Sequence, residues 1–130
     1  PGEHNGTFRG NNHAFVTATA ALKTFWSSPT FAHDVRRKAS LLRSGLEAIA
    51  RKSDLPVRFK GRGMMAGLAC PDGETAAAIR RGAYERNLIM ETSGPNDEVV
   101  KCLPPLTITD TELERGLGLI SESVREAGRP

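Results

Sequence analysis

Apolar residues in the first part of the chain recur at helical spacing. Phe15, Ala18, Leu22 and then Phe25 or Trp26 fall on one side and predict a helix over 13–26. Ser28-Pro29 reads as a restart, with Ser28 as cap and Pro29 as first helical residue. Phe31, Val35, Leu42, Leu46 and Ile49 then mark the inner face of a second helix, which Pro56 closes. Arg37, Arg43, Glu47 and Arg51 fall largely on other faces, so the basic run Arg36-Arg37-Lys38 is read as that helix's solvated side.

The period then changes. Val57 and Phe59 alternate with Arg58 and Lys60, the pattern of a half-buried strand. Gly61 and Gly63 bend or bulge it, and 64–70 continues as a more buried strand. Asp72 is a good N-cap for a third helix over 76–86, ending near Asn87, which tolerates a left-handed C-terminal position. Leu88-Ile89-Met90 reads as a short strand, 93–97 as a turn cluster, and 99–103 as a strand stopped by Pro104-Pro105. The last helix starts at Thr109, with Glu112 at capping-box spacing and Leu113, Leu117, Ile120 and Val124 on its buried face.

The order is helix, helix, strand, helix, strand, strand, helix. The short connection at 91–98 favours an antiparallel pair. The expected fold is α+β: a two-layer sandwich with a small, mostly antiparallel sheet and helices on one face.

Composition narrows the function classes. With 130 residues, 38% hydrophobic and 25% charged, the chain suits one soluble domain rather than a disordered segment. No apolar run reaches membrane-spanning length, and no basic-then-apolar leader is visible, so a cytoplasmic protein without membrane contact is expected. The net charge of +3 is scattered apart from 36–38 and Arg80-Arg81, and no basic stripe is interleaved with aromatics. Nucleic acid is therefore not an expected partner. Cys70 and Cys102 each follow a strand-like run and read as buried free thiols rather than a bridge. His4, His13 and His33 lack ligand spacing, so no metal is expected.

Candidate chemistry is sparse. Gly61, Gly63 and Gly67 mimic a dinucleotide fingerprint, but the spacing is wrong and the segment runs on as strand instead of opening a helix. Glu3, Glu91, Asp97 and Glu98 are carboxylates that spacing does not pair, and no set of acid, base and nucleophile assembles, so no catalytic residue is assigned. The opening PGEHNGTFRGNN is more informative. Its glycines free backbone N–H groups to face an anion, Thr7 adds a hydroxyl and Arg9 a charge, and a helix begins near Asn12. Two readings stand: a phosphate-holding loop, or a polar terminal loop with incidental glycines. Lys101 likewise has two: a rim lysine that meets a carboxylate, or a solvated, snorkelling one.

GEHNGTFRGNN before a helix, then RFKGRGMMAGL, then GPNDEVVKCLPPLTITDTEL, resembles in order the C-terminal part of the class III pyridoxal-phosphate aminotransferases, over essentially the whole chain. The resemblance implies a phosphate-contacting loop at 1–12 and the small C-terminal domain at 13–130. It implies that Thr7 bonds the phosphate of pyridoxal 5′-phosphate held mainly by the neighbouring subunit of a homo-oligomer with shared active sites. Many members place an arginine three residues before Pro-Pro-Leu to grip a substrate carboxylate. Lys101 stands there, giving a point charge instead of a fork.

The implied activity of the complete enzyme is amino transfer between an amino acid and a 2-oxo acid. The opening stretch favours L-2,4-diaminobutyrate with glutamate and 2-oxoglutarate; an ornithine or 4-aminobutyrate specificity is the alternative. The cofactor-holding lysine is expected upstream of Pro1, so this chain alone is expected to be inactive. A different class of alternative is a free-standing, non-catalytic interaction module of the same fold. A further expectation is exposed apolar patches around Phe8, Phe15 and 99–106.

Overall fold

A computed structural model describes Gly6 and residues 10–129. Two compact units follow one another, residues 1–34 and 35–130. In the first, α1 (Asn12–Phe25) is capped by Asn11, whose side chain accepts from the Ala14 N–H at 3.2 Å. No residue of α1 is buried. After it, Phe31 meets Phe25 and stands edge-on to Trp26, with ring centroids 5.1 and 5.0 Å apart. This pins the restart at Pro29, where α2 (Pro29–Lys52) begins.

The second unit carries the rest of α2, then β1 (Arg58–Arg62), β2 (Met65–Ala69), α3 (Gly73–Glu85), β3 (Glu91–Ser93), β4 (Val99–Cys102) and α4 (Asp110–Ala127). The four strands form one antiparallel sheet in the order β1-β2-β4-β3. Ala66 and Leu68 of β2 and Val100 and Cys102 of β4 face the helices. They pack with Leu42, Leu46 and Ile49 of α2, Ala76, Ile79 and Ala83 of α3, and Leu113, Ile120 and Val124 of α4. Each large side chain withdrawn from water there contributes about 1.5–3 kcal/mol. The α+β, two-layer expectation and the inner faces of α2 and α4 match what is found.

Three details differ from the sequence reading. Residues 57–70 are not one bent strand but a hairpin, with Arg62 paired to Met65. Gly63 takes φ +60° at the first central position of a two-residue turn, while Met64 is not left-handed, as a tight II′ connection requires. Leu88-Ile89-Met90 is not a strand. Asn87 is left-handed at φ +62°; its N–H bonds the Tyr84 carbonyl and that of Leu88 bonds the Ala83 carbonyl. This helix-ending motif consumes the Leu88 amide, so sheet pairing starts later, at Glu91. Lys38 is not on a solvated face. It is buried, and its ammonium reaches the Leu106 carbonyl at 3.4 Å across the loop before α4. The lysine stem covers apolar surface while its head finds an acceptor. Its neighbour Arg37 is exposed and makes a two-pronged pair with Asp110, both bonds 2.7 Å.

Candidate functional site

The sheet has a second face, away from the helices. Alternation along each strand puts Lys60 of β1, Gly67 of β2, Lys101 of β4 and Glu91 of β3 in one row across it, each paired in register with the next. The row places two lysines about 10 Å apart across two strand spacings, with glycine between them and a carboxylate at the end. Lys60 and Glu91 are exposed, and Lys101 is half-buried.

Gly67 is required by the packing of the backbone. A Cβ there would run into the Val100 carbonyl oxygen on β4. The result is a bare stretch of main chain beside Lys101, flanked on the same face by buried Ala69 and Val99. Lys101 also lines a cavity of about 260 Å³ with Met90, Leu103, Pro105, Leu113 and Ile120. That lining is mostly apolar and suits a hydrocarbon group, whereas the row on the sheet face suits charges.

The hairpin that sets the row is fixed locally. Between β3 and β4, Gly94 and Asp97 take positive φ, and the Asp97 N–H bonds the Gly94 carbonyl at 3.2 Å. Glu98 accepts from the Asn96 N–H at 3.0 Å. Its carboxyl is held below the ordinary glutamate range by its own backbone N–H, then by that of Asn96, with a smaller contribution from the charge of Lys60.

Thr7, the residue implied to bond a cofactor phosphate, lies outside the described residues, as do Glu3, Phe8 and Arg9. What is described beyond that loop is the start of α1, a helix N-terminus that suits an anion. Lys23, the lysine of that unit, stands in the last turn of α1, about 16 Å along the axis from its start.

Cys70 and Cys102 are free and buried. Burial pushes their thiols up to about 11 and about 12, so neither is a ready nucleophile. Among the described residues no group of histidine, cysteine and carboxylate side chains could hold a metal ion. No described helix is long and apolar enough to cross a membrane.

Glu91 was visible in the sequence as a carboxylate, but its neighbour was not. With the strand assigned to 88–90, the register that sets it opposite Lys101 was hidden. The Asn87 helix stop was read, but not that it also spends the Leu88 amide and so shifts the pairing to 91.

Comparison with known proteins bears on this arrangement. The model of the family Aminotransferase class-III matches residues 1–124. The chain is 52% identical over 129 residues to a diaminobutyrate–2-oxoglutarate transaminase of Bordetella parapertussis, covering 98% of this chain and 30% of that protein. It is 48% identical over 126 residues to the protein of that name from Halalkalibacterium halodurans, covering 96% and 29%. Among solved structures, acetylornithine aminotransferase from Elizabethkingia anophelis superposes with a TM-score of 0.76 at 25% identity, over 97% of this chain and 33% of that one. Lysine aminotransferase from M. tuberculosis gives 0.82 at 21% identity, over 98% and 29%, a likeness of fold alone. The chain thus spans about 30% of the length of the curated relatives it matches. Over nearly all of its residues, this chain belongs to the class III aminotransferases.

Proposed function

We propose that this chain is the small-domain part of an aminotransferase whose complete form moves an amino group from L-2,4-diaminobutyrate to 2-oxoglutarate, or the reverse. The observation that supports this most is the 48–52% identity, over 96–98% of the chain, to relatives named for that reaction. In this reading residues 13–130 form the small domain and the loop at 1–12 approaches a cofactor phosphate through Thr7. Pyridoxal 5′-phosphate, when bound, supplies the electron sink that amino exchange needs. Thr7 would contribute a neutral hydroxyl to a phosphate seated in the neighbouring subunit of a cytoplasmic homo-oligomer.

Lys101 is the substrate-side residue. It presents a cation on the sheet face next to the uncluttered backbone of Gly67. An amino acid and a 2-oxo acid both carry a carboxylate, so one lysine can orient each in turn. A lysine holds a carboxylate by one charge and freely rotating donors, which tolerates substrates of different shape better than a rigid arginine fork does.

The test is donor profiling of a full-length enzyme carrying this chain, with pyridoxal 5′-phosphate and 2-oxoglutarate. The expected result is a kcat/KM for 2,4-diaminobutyrate at least about tenfold above those for ornithine and 4-aminobutyrate. A preference for either of those donors would replace the diaminobutyrate assignment.

A further inference from the structure

The sheet itself gives Lys101 one acidic neighbour. Glu91 stands directly opposite on β3, on the same face. Facing residues of this kind have Cβ atoms about 4.5–5.5 Å apart, so both charged ends reach one ligand. Neither side chain is engaged with the other: no ion pair or hydrogen bond joins them among the described residues, and Glu91 is exposed. A contact between two such groups in water is worth little, so exchanging it for a ligand costs little. On the other flank of Lys101, Gly67 leaves the floor open.

In a diamino acid that reacts at its distal amine, the end that does not react carries the complementary pair: a carboxylate and an ammonium on one carbon. We infer that Glu91 is a substrate-binding residue that receives the ammonium a diamino acid retains, while Lys101 receives the carboxylate beside it. The inference rests on the diaminobutyrate reading above and gives it a specificity residue. 2,4-Diaminobutyrate differs from 4-aminobutyrate by that one ammonium. Glu91 therefore separates the two donors, and Lys101 serves both.

The experiment measures kcat/KM for both donors with the full-length holoenzyme, its Glu91→Gln and Glu91→Asp variants, and Lys101→Ala. Both donors are read on the same preparation, so their ratio is insensitive to loss of folded protein. Glu91→Gln is expected to lower the ratio of diaminobutyrate to 4-aminobutyrate by about tenfold, the effect of removing one charge-assisted contact. Glu91→Asp should retain more of the ratio than Glu91→Gln. A Glu91→Gln ratio within about twofold of the wild type overturns the inference. Failure of the underlying reading looks different: wild-type enzyme that does not use diaminobutyrate overturns that reading and the inference with it, whereas Lys101→Ala that affects neither donor overturns the inference and leaves the donor assignment standing; both are seen before Glu91 is altered.

Discussion

At the scale of single residues, the sheet is held by positions with no freedom to change size. Gly67 lies against the Val100 carbonyl, so even one added methyl must push β2 and β4 apart. Gly67→Ala is expected to cost about 1–3 kcal/mol in chemical denaturation, a loss typical of overpacking. Leu68, fully buried between Phe59 and Val100 in register, is the opposite case: Leu68→Ala leaves a void and should cost about 2–5 kcal/mol. The two cysteines give a chemical check on the same core. With thiols raised to about 11 and about 12, the thiolate fraction at neutral pH is about one part in ten thousand or less. Alkylation of Cys70 and Cys102 should therefore be negligible in the native chain and fast only after unfolding. Inner-face positions such as Leu46, Ile79 and Val124 were legible because their helical period is strong. Lys38 was not, because a lysine in a basic run gives no sign that a carbonyl from the loop before α4 will meet it.

Among the elements, α4 is the most explicitly punctuated. The Thr109 hydroxyl accepts from the Glu112 N–H at 3.2 Å, and the Glu112 carboxylate accepts from the Thr109 N–H at 2.9 Å, closing the expected capping box. Thr109→Ala should lower stability by about 1 kcal/mol. The Thr109 side chain, and then its backbone N–H, hold the Glu112 carboxyl below the ordinary glutamate range. The N-cap Asp72 is lowered in the same way, first by the Thr75 backbone N–H. A carboxyl lowered on folding stabilises the native state above its unfolded value and stops doing so as pH falls through its folded value. Melting temperature should thus decline as pH is lowered below about 5, and Glu112→Gln combined with Asp72→Asn should flatten that decline. Both caps were readable in sequence because side chain and target lie three residues apart. The β3–β4 antiparallel pair and the left-handed Asn87 stop were readable too, but the hairpin at 58–69 and the start of β3 were not, since a II′ turn at Gly63 and the hydrogen bond spent by the Leu88 amide set strand bounds through backbone geometry that hydrophobic period does not encode.

For the whole molecule, the notable feature is how much apolar surface stays in water. Phe15, Val16 and Leu22 on α1 are 57%, 69% and 60% exposed, and Ile89 is 81% exposed, with Leu103 beyond β4 more than half exposed. Such surface drives association, so light scattering of this chain should show mass rising with concentration, and addition of the remaining part of a full-length enzyme should suppress it. The chain by itself, mixed with pyridoxal 5′-phosphate and both substrates, is expected to show no transamination, because it spans only about 30% of the length of the curated relatives it matches. The general α+β plan was legible from seven segments and their order. The row of Lys60, Gly67, Lys101 and Glu91 was not, because it exists only once four strands are set in register. The account depends most on Lys101 meeting a substrate carboxylate, and one measurement addresses that directly: KM of the full-length Lys101→Ala enzyme for the amino donor and for 2-oxoglutarate. The account predicts that both rise by about tenfold or more; values equal to those of the wild type for both would contradict it.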